Sequence, residues 1–135
     1  MGIQLSVAVR NARLDVIETT IGTSAVLKIR SGTPPATCAT ADSGDVLATL
    51  TLPSDWMAAA SSGAKAKSGT WEDVSADMAG SAGHYRIYAS DGTTCHLQGT
   101  VTATGGGGDM TLDNIVIAAG QDITITGFAL TDGNV

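Results

Sequence analysis

The segment GHYRIYASDGTTCHLQGTVTAT, residues 83–104, reads as two strands of alternating apolar and polar residues joined by a Ser90-Asp91-Gly92 turn. The register of that turn decides which side chains share a face. A two-residue Asp91-Gly92 turn would set Ile87 opposite His96 and Arg86 opposite Leu97, mixing apolar with polar groups on both faces. A three-residue loop of Ser90, Asp91 and Gly92, with Gly92 left-handed, gathers Tyr85, Ile87, Cys95, Leu97 and Val101 instead. His84, Arg86, Tyr88, His96 and Gln98 then lie opposite. Only the second register separates a core face from a surface, so the expectation is a hairpin with the first set buried and the second facing outward.

Working outward, the rest of the chain has the same short, punctuated rhythm. Val7, Leu14, Ile17 and Ile21 recur as a helical stripe, Ser6 can cap its start and Gly22 its end, so a helix is expected over residues 4–21. Residues 25–31 and 45–52 read as strands, the second apolar enough to be covered on both faces. Between them, residues 32–44 carry Pro34, Pro35 and Cys38 and cannot be regular for most of their length; a loop this long in a small domain reads as a contact arm. Residues 54–62 form a helical turn or a compact loop, and 63–69 read as an exposed edge strand guarded by Lys65 and Lys67. After an open turn at Gly105 to Gly108 come two runs, 110–118 and 122–130, whose alternation slips at Asn114 and Gly127. We read these as a hairpin with paired bulges, turning around residues 119–121. The expected architecture is therefore mainly β: an antiparallel β-sandwich or jelly-roll-like domain over residues 23–135, preceded by one short helix within residues 1–22.

The totals fit that reading. A chain of 135 residues can bury a single core, and 17 glycines with 15% charged residues suit many strands and tight turns. So little charge also suits a surface covered by neighbours, and association with other copies is expected. The net charge is −6, and no Lys or Arg follows Arg86, while Asp91, Asp109, Asp113, Asp122 and Asp132 do. That acidity argues against a nucleic-acid partner. No apolar run approaches a membrane span, and the first residues lack the pattern of a secretory leader, so synthesis in the cytoplasm is expected.

The chemistry-bearing residues point away from an enzyme. His84 and His96 have no third metal ligand nearby, and no nucleophile signature accompanies either. Gly105 to Gly108 run into a strand rather than the helix a phosphate cradle needs. Asp42 with Asp45, and Asp109 with Asp113, match no calcium-loop spacing. No cofactor or metal is expected. Of Trp56, Trp71, Tyr85 and Tyr88, three are assigned to the core; Tyr88, beside Arg86 on the outward face, marks the leading contact patch. With His84, His96 and Gln98, and with Pro34 and Pro35 of the arm, it forms the expected interface. Cys38 and Cys95 lack metal or redox spacing. A bond between them, or across subunits, is open, but the favoured reading is a reduced Cys95 packed in the hairpin core.

The order RNARLDVIETTIGTSAVLKIRSG (residues 10–32), DVLATLTLPSDWM (45–57) and GHYRIYASDGTTCHLQGTV (83–101) resembles small virion proteins of tailed bacteriophages and prophages. The matching segments are packing and turn segments, not active-site signatures. The resemblance implies a structural role on the virion, most directly as a decoration protein on the shell of major capsid protein, with a tail or fibre component contacting the host surface as the alternative. It also implies self-association, with a trimer suggested by the three-fold axes of capsid surfaces.

Overall fold

The computed structural model describes residues 2–132. Its helix, α1 (Val7–Ile21), is set by its two caps: Ser6 Oγ accepts the Val9 N–H at 3.2 Å, and the Gly22 N–H reaches the Glu18 carbonyl at 2.9 Å. The helix thus begins three residues later than the apolar pattern suggested, because Ser6 must stay extended to cap it. Leu14 and Ile21 are buried, Ile17 is half-buried and Val7 is exposed. The helix docks as much by polar contacts as by this narrow stripe. Trp56 Nε1–H donates to the Gly22 carbonyl at 3.0 Å, and the Met57 and Ala60 N–H groups donate to Glu18 and Asp15.

Among the described residues ten strands follow: β1 (Val26–Ser31), β2 (Val46–Thr51), β3 (Ala64–Ala66), β4 (Trp71–Asp73), β5 (Gly80–Tyr88), β6 (Cys95–Ala103), β7 (Met110–Leu112), β8 (Val116–Ile117), β9 (Ile123–Ile125) and β10 (Ala129–Thr131). The main sheet has the order β2-β1-β5-β6-β7, with β8 also on β5; two short pairs, β3–β10 and β4–β9, complete the strand pairing. Leu27, Ile29, Leu50, Tyr85 and Ile87 of the main sheet share one core with Trp56, Trp71, Ile123, Ile125 and Phe128. Its centre is aromatic: Trp71 lies 5.9 Å from Trp56 and 5.6 Å from Phe128, and Tyr85 meets Phe128 edge-on at 5.7 Å. The chain is a mainly β, sandwich-like domain with a short N-terminal helix. No helix of the described residues is long and apolar enough to cross a membrane.

The hairpin of residues 83–104 forms with a longer loop than expected. Ala89 N–H bonds to the Thr94 carbonyl, Tyr88 pairs with Cys95, and an irregularity then brings Ile87 opposite Leu97 and Arg86 opposite Gln98. The bulge pushes His96 out and restores the alternation, so Leu97 and Val101 keep the core side with Tyr85 and Ile87. Cys95, opposite Tyr88, moves to the polar side, contrary to its expected place in the core. Asp91 organises the turn by accepting from the Thr94 hydroxyl and from the Thr94 and Thr93 N–H groups, which hold its carboxyl well below the usual range.

Three other expectations are corrected. The runs 110–118 and 122–130 do not pair with each other. β7 joins β6, β8 joins β5, β9 joins β4 and β10 joins β3. The slips at Asn114 and Gly127 are the places where the chain leaves one partner strand for the next. Gly105 to Gly108 do not close an antiparallel turn but return the chain so that β7 runs parallel to β6, Val101 opposite Met110. Lys65 is no edge guard: its side chain is 2% exposed and pairs with Asp15 at 2.7 Å and Glu18 at 3.0 Å. Burial opposes its charge, but these two carboxylates raise its pKa above the usual value. Residues 54–62 contain no helical turn. As for β2, Leu47, Ala48 and Leu50 are buried but Thr51 is exposed, and its free edge is covered where Asp73 accepts the Thr49 N–H and Asp77 donates to the Leu47 carbonyl.

Candidate functional site

The side of the main sheet turned away from the aromatic core is polar, and the 32–44 arm lies across it. Antiparallel register aligns Arg30 with His84, Lys28 with Arg86 and Val26 with Tyr88, and then Arg86 with Gln98, so that one sheet face collects three cations. At the base of the arm the backbones approach closely. A Cβ at Gly83 would overlap the Gly32 carbonyl, and Gly44, at φ 72°, would drive one into the Ser31 carbonyl oxygen.

Arg86 is the seat. Its Nε donates to Gln98 Oε1 at 3.0 Å, its Nη1 binds Asp42, and its Nη2 faces the carbonyls of Thr37 at 3.0 Å, Cys38 at 3.2 Å and Thr40 at 3.0 Å. Arg30 donates to Tyr88 Oη at 3.3 Å and to the Gly44 carbonyl at 3.2 Å, and its Nη2 lies 3.1 Å from Asp42. The Tyr88 hydroxyl donates to the same carboxylate at 2.7 Å, and Gln98 Nε2 donates to the Pro35 carbonyl. The carbonyls on the sheet-facing side of the irregular arm are thus satisfied by side chains of the sheet, which stand in for the backbone partners a strand would have. Lys28 sits over the Tyr88 ring, 5.1 Å from its centroid.

The electrostatics follow from this packing. Burial works against the Asp42 carboxylate, but hydrogen bonds from Tyr88 and Arg86 and the charge of Arg30 outweigh it and hold its pKa below the ordinary value. Burial lowers the pKa of His84, with Arg30 and Arg86 acting in the same sense against Gly32 and Asp42. The neutral ring donates Nδ1–H to the Gly32 carbonyl at 2.9 Å, and its Nε2 is buried without a partner. Burial pushes the Tyr88 hydroxyl up, reinforced by Asp42.

The expectation that His84, Arg86 and Tyr88 face outward is overturned: they are 0%, 1% and 0% exposed. Their face is polar because it meets the chain's own arm. Gln98, Pro34 and Pro35 are half-buried, with Gln98 holding Pro35, and His96 is exposed. Cys38 and Cys95 are free and half-buried, Cys95 Sγ donates to the Leu97 carbonyl at 3.7 Å, and burial, with Cys38 acting in the same sense, pushes the Cys95 thiol up to about 11. Sequence reasoning missed Asp42 as the organising anion. The available signal was a single carboxylate within a proline-containing loop that directly follows a strand carrying Lys28 and Arg30.

What remains on the surface is the crown of the arm, where Ala36, Thr37, Ala39, Thr40 and Ala41 are exposed, and a set of outward apolar side chains. Ile3 is 82% exposed and Val16 59%, with Val9 also exposed, and Val16 lines a depression of about 420 Å³ with Leu14, Ile17 and Thr131. Among the described residues no group of three or more His, Cys, Asp and Glu side chains is placed to hold a metal ion. The chain matches no protein-family model, no curated protein and no solved structure.

Proposed function

We propose that this chain is a structural component of a tailed-phage particle, a decoration protein that seats on the shell of major capsid protein and works by contact rather than catalysis. The observation that carries this reading is the arm. An irregular segment of a small domain is held on two buried arginines, a buried histidine and a shared carboxylate, more apparatus than a simple connection between β1 and β2 needs. Its uncharged crown is thereby presented in one shape, which lowers the entropy cost of docking on a repeated surface. The exposed apolar residues of α1 and the segment before it are consistent with contact between neighbouring copies, three-fold association being the simplest arrangement on a shell.

Near-atomic imaging of purified particles tests the reading directly: density for this fold over the capsomers is expected, and density confined to the tail would replace the decoration role with the tail one. Binding of the isolated protein to undecorated shells, followed by sedimentation, tests the arm. Ala39→Glu and Ala41→Glu place charge on the crown without touching the Arg86 seat, and each is expected to weaken binding at least about tenfold. Unchanged binding by both would show that the arm is not the contact.

A further inference from the structure

We propose that the cleft between β6 and β10 is a peptide-binding site, taking an extended segment that adds as a strand to β10 and sets a lysine ammonium between the Asp109 carboxylate and the Tyr85 hydroxyl. The inference is independent of the particle role, because it rests on Tyr85, Asp109 and β10, none of which seats the arm. Lys67 N–H donates to the Phe128 carbonyl and Asp132 N–H to the Gly63 carbonyl, both at 2.9 Å, so the peptide groups of Phe128, Leu130 and Asp132 are the ones turned to β3. Alternation turns those of Ala129 and Thr131 the other way, and no other described strand pairs with β10. An open edge of this kind is what strand addition uses.

The cleft along that edge has a volume of about 280 Å³, and Tyr85, Leu97, Asp109, Phe128 and Leu130 are among the residues that line it. Gly99, opposite Tyr85 in the hairpin, has no side chain to hold the two polar groups apart: a Cβ there would stand 2.8 Å from Tyr85 Oη and 2.9 Å from Asp109 Oδ2. Tyr85 is 2% exposed, yet its hydroxyl has no hydrogen-bond partner among the described residues, where a buried hydroxyl ordinarily has one. Burial, reinforced by Asp109, raises its pKa and keeps it protonated. Asp109 Oδ2 accepts from the Thr100 N–H at 2.9 Å and the Thr100 hydroxyl at 3.1 Å, which fixes the carboxylate and leaves Oδ1 without a partner among the described residues. Asp109 is the one charged residue of the lining, so the cleft selects a cation. Leu97, Phe128 and Leu130 suit the methylene stem of a lysine. Its ammonium donates to Asp109 Oδ1 and Tyr85 Oη, while the flanking peptide groups pair with Ala129 and Thr131.

The probe is a short peptide, acetylated and amidated at its ends, with a central lysine flanked by valine and threonine. It is titrated into isotope-labelled full-length protein and followed by amide chemical shifts. Saturable shifts are expected at Gly99, Asp109, Ala129 and Thr131. Norleucine in place of the lysine keeps the stem and removes the ammonium, and should weaken binding at least about tenfold. Asp109→Asn retains an acceptor for Thr100, and Tyr85→Phe retains the ring contact with Phe128. Each should weaken the lysine peptide at least about threefold and leave the norleucine peptide unchanged. The same lysine peptide with methylated backbone nitrogens should not bind, since it cannot pair along β10. Equal binding of the lysine and norleucine peptides, equal binding of the methylated peptide, shifts away from β10, or no saturable binding would each overturn the proposal.

Discussion

Arg86 satisfies five acceptors with one planar group, and no other side chain has that geometry. Lysine at this position would bring a single ammonium to Asp42 and leave the Gln98 oxygen and several arm carbonyls unpaired. Arg86→Lys is therefore expected to cost about 2–3 kcal/mol in urea unfolding, and a cost below about 0.5 kcal/mol would show that the arm does not depend on this seat. His84 makes the same region sensitive to acid. Its folded pKa is lowered, so the unfolded chain takes up the proton first. Its contribution is complete above the ordinary histidine value of 6.5 and is lost as pH falls below it. Asp42, also lowered, acts in a separate window: its contribution is present above 3.8 and disappears as pH falls further. One group can change stability by at most about 1.4 kcal/mol per pH unit. Wild-type melting should thus fall between pH 7 and 5 by more than that of His84→Gln, which keeps polarity but does not titrate; parallel profiles would remove His84 from this role.

At the scale of elements, what could be read from the chain was what is decided locally. Ser6 and Gly22 cap α1 because capping involves residues three or four apart, and β1, β2, β5 and β6 lie where alternation and turn residues place them. The sorting of Tyr85, Ile87, Leu97 and Val101 to one face also survives, since the longer loop and the bulge together shift β6 by an even number of residues. What failed was decided at a distance. Alternation shows that His84, Arg86 and Tyr88 share a face, but whether that face meets water depends on an arm some fifty residues earlier in the chain. Lys65 is buried for a similar reason, because Asp15 and Glu18 of the helix come to it. At Asn114 and Gly127 the breaks in pattern were real, but a break carries no information about whether a strand bulges or changes partner.

For the molecule as a whole, the distribution of β7 to β10 over four different partners has an energetic consequence. None of these short strands is stable on its own, and each closes a contact with a strand formed earlier in the chain, so the layers should fold together or not at all. Trp71 sits where the layers join. It begins β4, packs against Trp56 and Phe128, and its Nε1–H is shared between the Trp56 and Ser68 carbonyls at 3.1 Å each. Lys67 Nζ lies 5.8 Å from its ring centroid. Replacing it by alanine opens a cavity in the aromatic centre and is expected to cost about 3–5 kcal/mol, a large part of the roughly 5–15 kcal/mol available to a domain of this size. The loss should be global. Trp56 fluorescence, reporting on the aromatic centre, and far-ultraviolet circular dichroism, reporting on the strands, should give one urea midpoint for Trp71→Ala, shifted equally by both probes. Two separated midpoints would mean that the main sheet holds without the second layer, and that strand sharing does not bind the molecule into one cooperative unit.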